Sequence, residues 1–284
     1  MMLINPTPIT VAPTIAMIPP TFFSVAYAIN PWMNTNTPVD VTVALAQWQQ
    51  LKHTLTVDCG ATIVEIPPVA NLPDMVFVAN AAIVLPAVPN TPNRVLLARF
   101  FNTERQAEEP YLQQWFEANG YVVEQLPPPL PLEGAGEALV WNNQIFASYG
   151  QRGVLASHSW LAWYSQQPVI SLELVDPRFY HLDVAFCPTD LGYVLYYPEA
   201  FSSDALQLLE AVIPREKRIV VDTTEALQFA CNAVSVGQHI VLPCHAPQLQ
   251  QKLVATGHTV HTVPYTEFIK AGGATKCSTL RLAS

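Results

Sequence analysis

The residues best equipped for chemistry begin with Cys277, which follows the paired glycines Gly272-Gly273 and leads into the strand-like stretch Thr279–Leu282. Glycines let the backbone take positive φ and approach a ligand closely, so this reads as a turn presenting one thiol at a strand end. A buried, inert cysteine is the plain alternative. His181-Leu182-Asp183 reads as the start of a strand, which would put imidazole and carboxylate on one face. That pairing suits a proton shuttle beside a holder for a cation; a surface histidine with a capping aspartate would look the same. Glu133-Gly134-Ala135-Gly136-Glu137 offers two carboxylates on a glycine-flanked turn before the apolar run Ala138–Trp141. Buried, they need partners; otherwise this is a solvated loop. Asp74 stands on a proline turn, and Asn80 sits inside the apolar run that follows, where its amide must find hydrogen bonds. Arg99 and Arg152, two of few arginines, could each grip a carboxylate through paired N–H donors or simply form surface ion pairs.

An internal repeat positions these groups. Gly60-Ala-Thr-Ile-Val-Glu-Ile-Pro67, Gly120-Tyr-Val-Val-Glu-Gln-Leu-Pro127 and Gly257-His-Thr-Val-His-Thr-Val-Pro264 share a frame of glycine, β-branched run and proline. The glycine suits a helix C-terminus, and the proline stops a strand. Helix-like segments precede them at Val41–Leu55, Arg105–Asn119 and Pro247–Thr256. Looser copies run from Ser157–Gln167 into Val169–Val175 and from Asp204–Ile213 into Arg218–Val221. After each strand come a turn, a polar group and a further apolar strand. The polar groups centre on Asn80, Glu137, Asp183, Asn232 and Cys277, spaced by roughly 50 residues, a period that suggests a propeller-like array or a solenoid. Chemistry at equivalent points of five units argues for closure about one axis. Thr10–Phe23, which has no helix before it, is expected to lend a strand to the last unit. No Ser/Gly linker divides the chain, so residues 1–284 are read as one domain.

Composition sets the outer limits. Half of the residues are hydrophobic and 12% are charged, enough for a large core. With a net charge of -9 and no basic cluster, a nucleic-acid partner is not expected. Ile9–Ala28, the most apolar early stretch, is broken by Pro13, Pro19 and Pro20, so neither a membrane span nor a secretory signal is expected. Five cysteines without a C-x-x-C pair fit a reduced, cytoplasmic protein. His258 and His261 would face opposite sides of a strand, Cys244-His245 has no second pair, and phosphate-cradling glycine motifs are missing. No metal and no cofactor are expected.

Taken together, Pro73–Ala81, Glu133–Leu139, Phe179-Tyr180-His181-Leu182-Asp183 with Phe186-Cys187-Pro188, and Lys270–Leu282 resemble the guanidine-modifying (amidinotransferase, or pentein) superfamily. The resemblance covers almost the whole chain from Asn30-Pro31-Trp32-Met33 onward. It implies an α/β fold, a five-fold pseudosymmetric propeller of ββαβ units around a central channel. Within the superfamily the chain looks most similar to the arginine dihydrolase and dimethylargininase-like branch, through Ala79-Asn80-Ala81, Leu172–Asp183 and Phe229–Val236. By that similarity Cys277 is the nucleophile, His181 the general acid/base, and Glu133 or Glu137 the orienting carboxylate. Asp183 would hold the guanidinium, Arg99 and Arg152 the substrate carboxylate, Asn30 and Asn80 would line the pocket, and Asp74 would be a further substrate-binding residue. Glu137 and Ser24 stand where relatives tend to carry aspartate.

The resemblance implies a cysteine-dependent hydrolase of arginine or a related small cationic guanidino compound, and leaves room for a homo-oligomer. Two rounds of hydrolysis would give ornithine, ammonia and carbon dioxide. One round, as in a deiminase or dimethylargininase, would stop at citrulline. Amidino transfer to an amine, or ligand binding without turnover, are further alternatives.

Overall fold

The computed structural model describes residues 12–86 and 90–282. Among the described residues, fifteen short strands form five three-stranded sheets, each with the same internal order. In chain order the strands are β1 (Thr14–Met17), β2 (Thr62–Glu65), β3 (Ala82–Val84), β4 (Arg94–Leu97), β5 (Val122–Gln125), β6 (Ala138–Trp141), β7 (Gln144–Tyr149) and β8 (Val169–Glu173). They continue as β9 (Phe186–Pro188), β10 (Val194–Tyr196), β11 (Arg218–Val220), β12 (Val234–Val236), β13 (His239–Leu242), β14 (Thr259–Thr262) and β15 (Leu280–Arg281).

Four sheets are made of consecutive strands, β3-β4-β5, β6-β7-β8, β9-β10-β11 and β12-β13-β14. In each, the first pair is antiparallel and the second parallel. A parallel pair needs a crossover, and a helix supplies it every time. The fifth sheet joins the two ends of the chain: β1 runs antiparallel to β15 and parallel to β2. The N-terminal segment thus lends its strand to the last unit, as expected; Thr10 and Val11 lie outside the described residues.

The crossover helices span Val41–His53, Glu109–Ala118, Leu155–Ser165, Ser203–Val212 and Pro247–Ala255. Four bury apolar pairs at i, i+4 spacing: Ala44 with Trp48, Leu112 with Phe116, Ala205 with Leu209, and Leu249 with Leu253. That spacing gives each one core-facing stripe. Gly60, Gly120 and Gly257 follow three of them with φ of 73°, 81° and 88°, the left-handed geometry that releases the chain into its next strand. Among the described residues, no helix is long and apolar enough to cross a membrane.

The first strands of the sheets share one surrounding. Ile83, Leu139, Phe186, Val234 and Leu280, one from each sheet, line the same cavity of about 870 Å³. None of Cys277, His181, Glu133 or Asp183 lines it. The polar residues of the repeat lie just before these strands, on tight turns: Val78–Ala81 before β3, Gly134–Glu137 before β6 and Leu182–Ala185 before β9.

His181 departs from the sequence reading. It does not start a strand; extended at φ -123° and ψ 156°, it precedes the helical turn Leu182–Ala185, and the strand begins only at Phe186. The turn sends His181 and Asp183 to different neighbours, so alternation along a strand is not what relates them.

Candidate active site

Cys277 is buried at 2% exposure on the turn before β15. Its Sγ lies 3.3 Å from Asp183 Oδ2, to which the thiol donates, and 3.2 Å from the Asn232 amide nitrogen. Asn232 fixes this corner from both ends. Its Oδ1 accepts from the backbone N–H of Lys276 and Cys277, and its Nδ2 also donates to the Asp183 carbonyl. Burial first, then the Asp183 charge, push the Cys277 thiol well above its ordinary range. The resting group is therefore a thiol, and a cation placed against Asp183 would lower its pKa.

His181 is held by Glu133. Its Nε2 lies 2.7 Å from Glu133 Oε2, and both side chains are almost fully buried. An ionised carboxylate only accepts, so Nε2 carries the hydrogen and Nδ1 is left to exchange a proton. Nδ1 is 3.4 Å from Asn80 Nδ2. Glu133 Oε1 accepts from the Phe101 N–H at 2.9 Å, and Arg152 Nη1 reaches Oε2 at 3.2 Å. Burial alone would raise the Glu133 pKa; the His181 hydrogen bond and charge, then Arg152 and Arg105, outweigh it and hold it at about 2.

The sequence left open which glutamate faces His181; in the structure it is Glu133. Glu137 turns the other way, with Oε2 accepting from the Glu133 backbone N–H at 2.6 Å. Burial, then repulsion from Glu133, raise its pKa well above the usual carboxylate range. Two neighbouring buried acids are thus pushed in opposite directions, Glu133 down by its cationic partners and Glu137 up by burial and by Glu133.

Asn80 is oriented from behind. Arg105 Nη1 donates to its Oδ1 at 2.8 Å, which turns its NH₂ toward the Glu133 carbonyl and His181. Arg105, buried at 4% exposure, also grips both oxygens of Glu108 and the Asp74 carbonyl. Burial raises the Asp74 pKa to about 6, although Arg105 pulls it down. Sequence reasoning missed Arg105 and Glu108 as part of this site, and it assigned Asn232 no role beyond its place in the repeat.

The remaining expected site residues separate. Arg152 is buried and committed to Glu133 and to the Ile29 carbonyl, with its guanidinium 5.0 Å from the Tyr180 ring centre. Arg99 is half-buried on the Leu126 carbonyl and Gln125. Asn30 ties its own turn to the Gly272 region: its Oδ1 accepts from the Trp32 N–H and its Nδ2 donates to the Ala271 carbonyl.

Glu137 Oε1 and Asp183 Oδ1 are buried with no hydrogen-bond partner among the described residues, and Asp74 Oδ1 has only the Tyr27 hydroxyl near it. Unpaired buried acceptors are rare because each costs free energy. Beside a thiol and an oriented imidazole, they suit a guest rich in N–H donors, which a planar guanidinium provides.

Gly136 packs directly behind this arrangement. A Cβ there would collide with Asn80 Nδ2 and stand 3.2 Å from His181 Nδ1. We expect Gly136→Ala to displace the Asn80 amide and cut kcat by about 10²-fold, with far-UV circular dichroism unchanged; steady-state kinetics checks this.

No protein-family model matches the chain. It is 45% identical over 271 residues to the bifunctional arginine dihydrolase/ornithine cyclodeaminase ArgZ of Synechocystis, a match covering 94% of this chain and 37% of that protein's length. It is 40% identical to the N(G),N(G)-dimethylarginine dimethylaminohydrolase of Mycobacterium tuberculosis, covering 94% of this chain and 85% of the relative. Among solved structures, the N-terminal domain of a cyanobacterial ArgZ covalently bound to a reaction intermediate superposes with a TM-score of 0.90 at 44% identity, covering 96% of this chain and 98% of that one.

Proposed function

The chain belongs to the guanidine-modifying family that contains the arginine dihydrolases and dimethylarginine dimethylaminohydrolases, and from that premise we propose that it hydrolyses arginine twice, to ornithine, two ammonia and carbon dioxide. The observation that carries the reading is a buried thiol hydrogen-bonded to Asp183 together with a carboxylate-held imidazole and buried carboxyl oxygens without hydrogen-bond partners. The ArgZ relative, much longer than this chain, is named for a second activity that does not enter the proposal.

The guanidinium would lie against Asp183, with Asp74 and Glu137 supplying further acceptors. Its positive charge offsets the repulsion that keeps Cys277 protonated, so substrate binding itself activates the thiol. The Cys277 proton passes to His181 Nδ1, the thiolate adds to the guanidino carbon, and His181 returns that proton to the amino group that departs as ammonia. The resulting thiouronium is a cation that the surrounding carboxylates stabilise. His181 then takes a proton from water, which attacks the same carbon and releases citrulline, returning the electron pair to sulfur. Of the two arginines proposed to hold the substrate carboxylate, Arg152 is committed to Glu133 and the Ile29 carbonyl, and Arg99 to the Leu126 carbonyl and Gln125.

Asn80 bears on whether a second round occurs. A free amide can donate or accept, but Arg105 occupies the Asn80 oxygen, so the face offered to the site is N–H. A donor suits the carbonyl oxygen of a ureido group, which a carboxylate would repel. Repeating the sequence on citrulline expels a second ammonia and, on hydrolysis, carbon dioxide and ornithine.

Five sheets of one topology, each sending a residue into a common cavity, support a single domain closed as a five-bladed propeller. Five free cysteines fit a reducing compartment such as the cytoplasm.

Incubation with arginine should yield ornithine and two ammonia per arginine consumed. Asn80→Asp should shift the product toward citrulline by at least tenfold. Citrulline with one ammonia from the wild-type protein would place it with the single-round deiminases and leave Asn80 a scaffold residue.

A further inference from the structure

Spacing along the sequence pairs His258 with His261 and finds them on opposite faces. The fold pairs His261 differently. His239 opens β13 opposite Thr259, and His261 on β14 lies opposite Val241, so the two histidines are diagonal neighbours on one face of the sheet. His239 Nδ1 and His261 Nε2 are 3.0 Å apart. Cys59 comes from the other end of the chain. It closes the helical turn Thr54–Asp58, with its N–H on the Thr54 carbonyl, just before Gly60 turns the chain away. Its Sγ and one nitrogen from each histidine all lie within 4.8 Å of one another.

We infer that Cys59, His239 and His261 form a binding site for a zinc-class divalent cation, separate from the hydrolytic centre. No step of the proposed hydrolysis uses any of the three. One thiolate with two imidazoles is a borderline-soft donor set that suits zinc, and three protein ligands leave a fourth position for water. Tetrahedral bonds of about 2.0 Å to nitrogen and about 2.3 Å to sulfur would set the nitrogens about 3.3 Å apart and the sulfur about 3.5 Å from each. Rotation of the part-buried side chains through less than about 1.5 Å reaches that arrangement from the present one. A hydrogen bond between the imidazoles would account for the histidine pair, but it gives no reason for a thiol beside them. The Asp58 carboxylate lies near enough to His261 to act on its charge and adds negative potential that favours a cation. On binding, the thiol releases its proton to solvent and no redox change occurs.

The three ligands also define what the ion would do. Cys59 follows the crossover helix of the sheet that joins the chain ends, and the histidines belong to the β12-β13-β14 sheet. A bound ion would therefore tie these neighbouring units together and stabilise the fold.

Titration of the metal-free protein with Co²⁺, a spectroscopic stand-in for zinc, is the test. We expect a thiolate-to-cobalt charge-transfer band saturating at one equivalent, displaced by Zn²⁺, and a rise in Tm of about 5 °C at saturating Zn²⁺. The band should vanish in Cys59→Ser and in His239→Asn and survive in Cys277→Ser. Both of the first two variants should keep the metal-free Tm and lose the zinc-dependent rise. No band in the wild-type protein would overturn the site. So would a band that persists in Cys59→Ser but disappears in Cys277→Ser, since the metal would then sit at the hydrolytic thiol.

Discussion

Cys277→Ser should lower arginine turnover by at least about 10⁴-fold, or about 5.5 kcal/mol in activation free energy, while leaving Tm within about 1 °C of wild type. The hydroxyl is close in size and can keep the contacts to Asp183 and Asn232, and the Asn232 bonds to the Lys276 and Cys277 backbone do not involve the side chain at all. What is lost is nucleophilicity. A serine hydroxyl has a far higher pKa than a thiol, and a guanidinium cation cannot lower it enough to matter near neutral pH. The same reasoning governs the free enzyme. Burial and Asp183 hold the thiol up, so alkylation of Cys277 should be slow near pH 7 and accelerate as pH rises past the usual thiol range.

Glu133→Gln should cost about 10³-fold in kcat and also destabilise the protein by about 3 kcal/mol. The amide keeps the shape of the side chain but removes the charge shared by His181 Nε2, Arg152 Nη1 and the Phe101 N–H. His181 loses the partner that fixes its tautomer and aims Nδ1 at the site, and the buried Arg152 loses its ion-pair partner. The pH dependence has a definite sign. Glu133 is held at about 2, below its ordinary 4.5, so its contribution is fully present above about 4.5 and lost as pH falls toward about 2. Acid titration of stability should therefore be shallower in Glu133→Gln across that window. Equal slopes in the two proteins would remove Glu133 as the ionised member of the pair.

Much of this was visible in the chain before folding, and the exceptions share one cause. Glycine, β-branched run and proline recur because each unit ends a helix, makes a short strand and stops, and local backbone preferences enforce all three. The polar groups of the repeat could be located because they interrupt apolar runs. His181 was located but its local structure misjudged: three residues of alternating character look alike in a strand and in a helical turn. Burial was harder to see. Arg105 and Glu108, three apart near a helix start, have the spacing of a solvated surface pair, yet both are buried and set which way Asn80 faces. Arg152 looked as free as Arg99 until its partner Glu133 was in place. Cys59 and His239 lie about 180 residues apart, and only the neighbouring of two sheets brings them together.

The central claim is that Cys277 forms a bond to the guanidino carbon, and one measurement reaches it directly: intact mass and peptide mapping of the protein, acid-quenched during turnover of arginine. The expected spectrum shows a fraction of the protein carrying a single covalent adduct, mapped to the peptide containing Cys277 and missing in Cys277→Ser. Steady turnover with no adduct at any quench time, or an adduct mapped to another cysteine, would contradict the assignment of Cys277 as nucleophile.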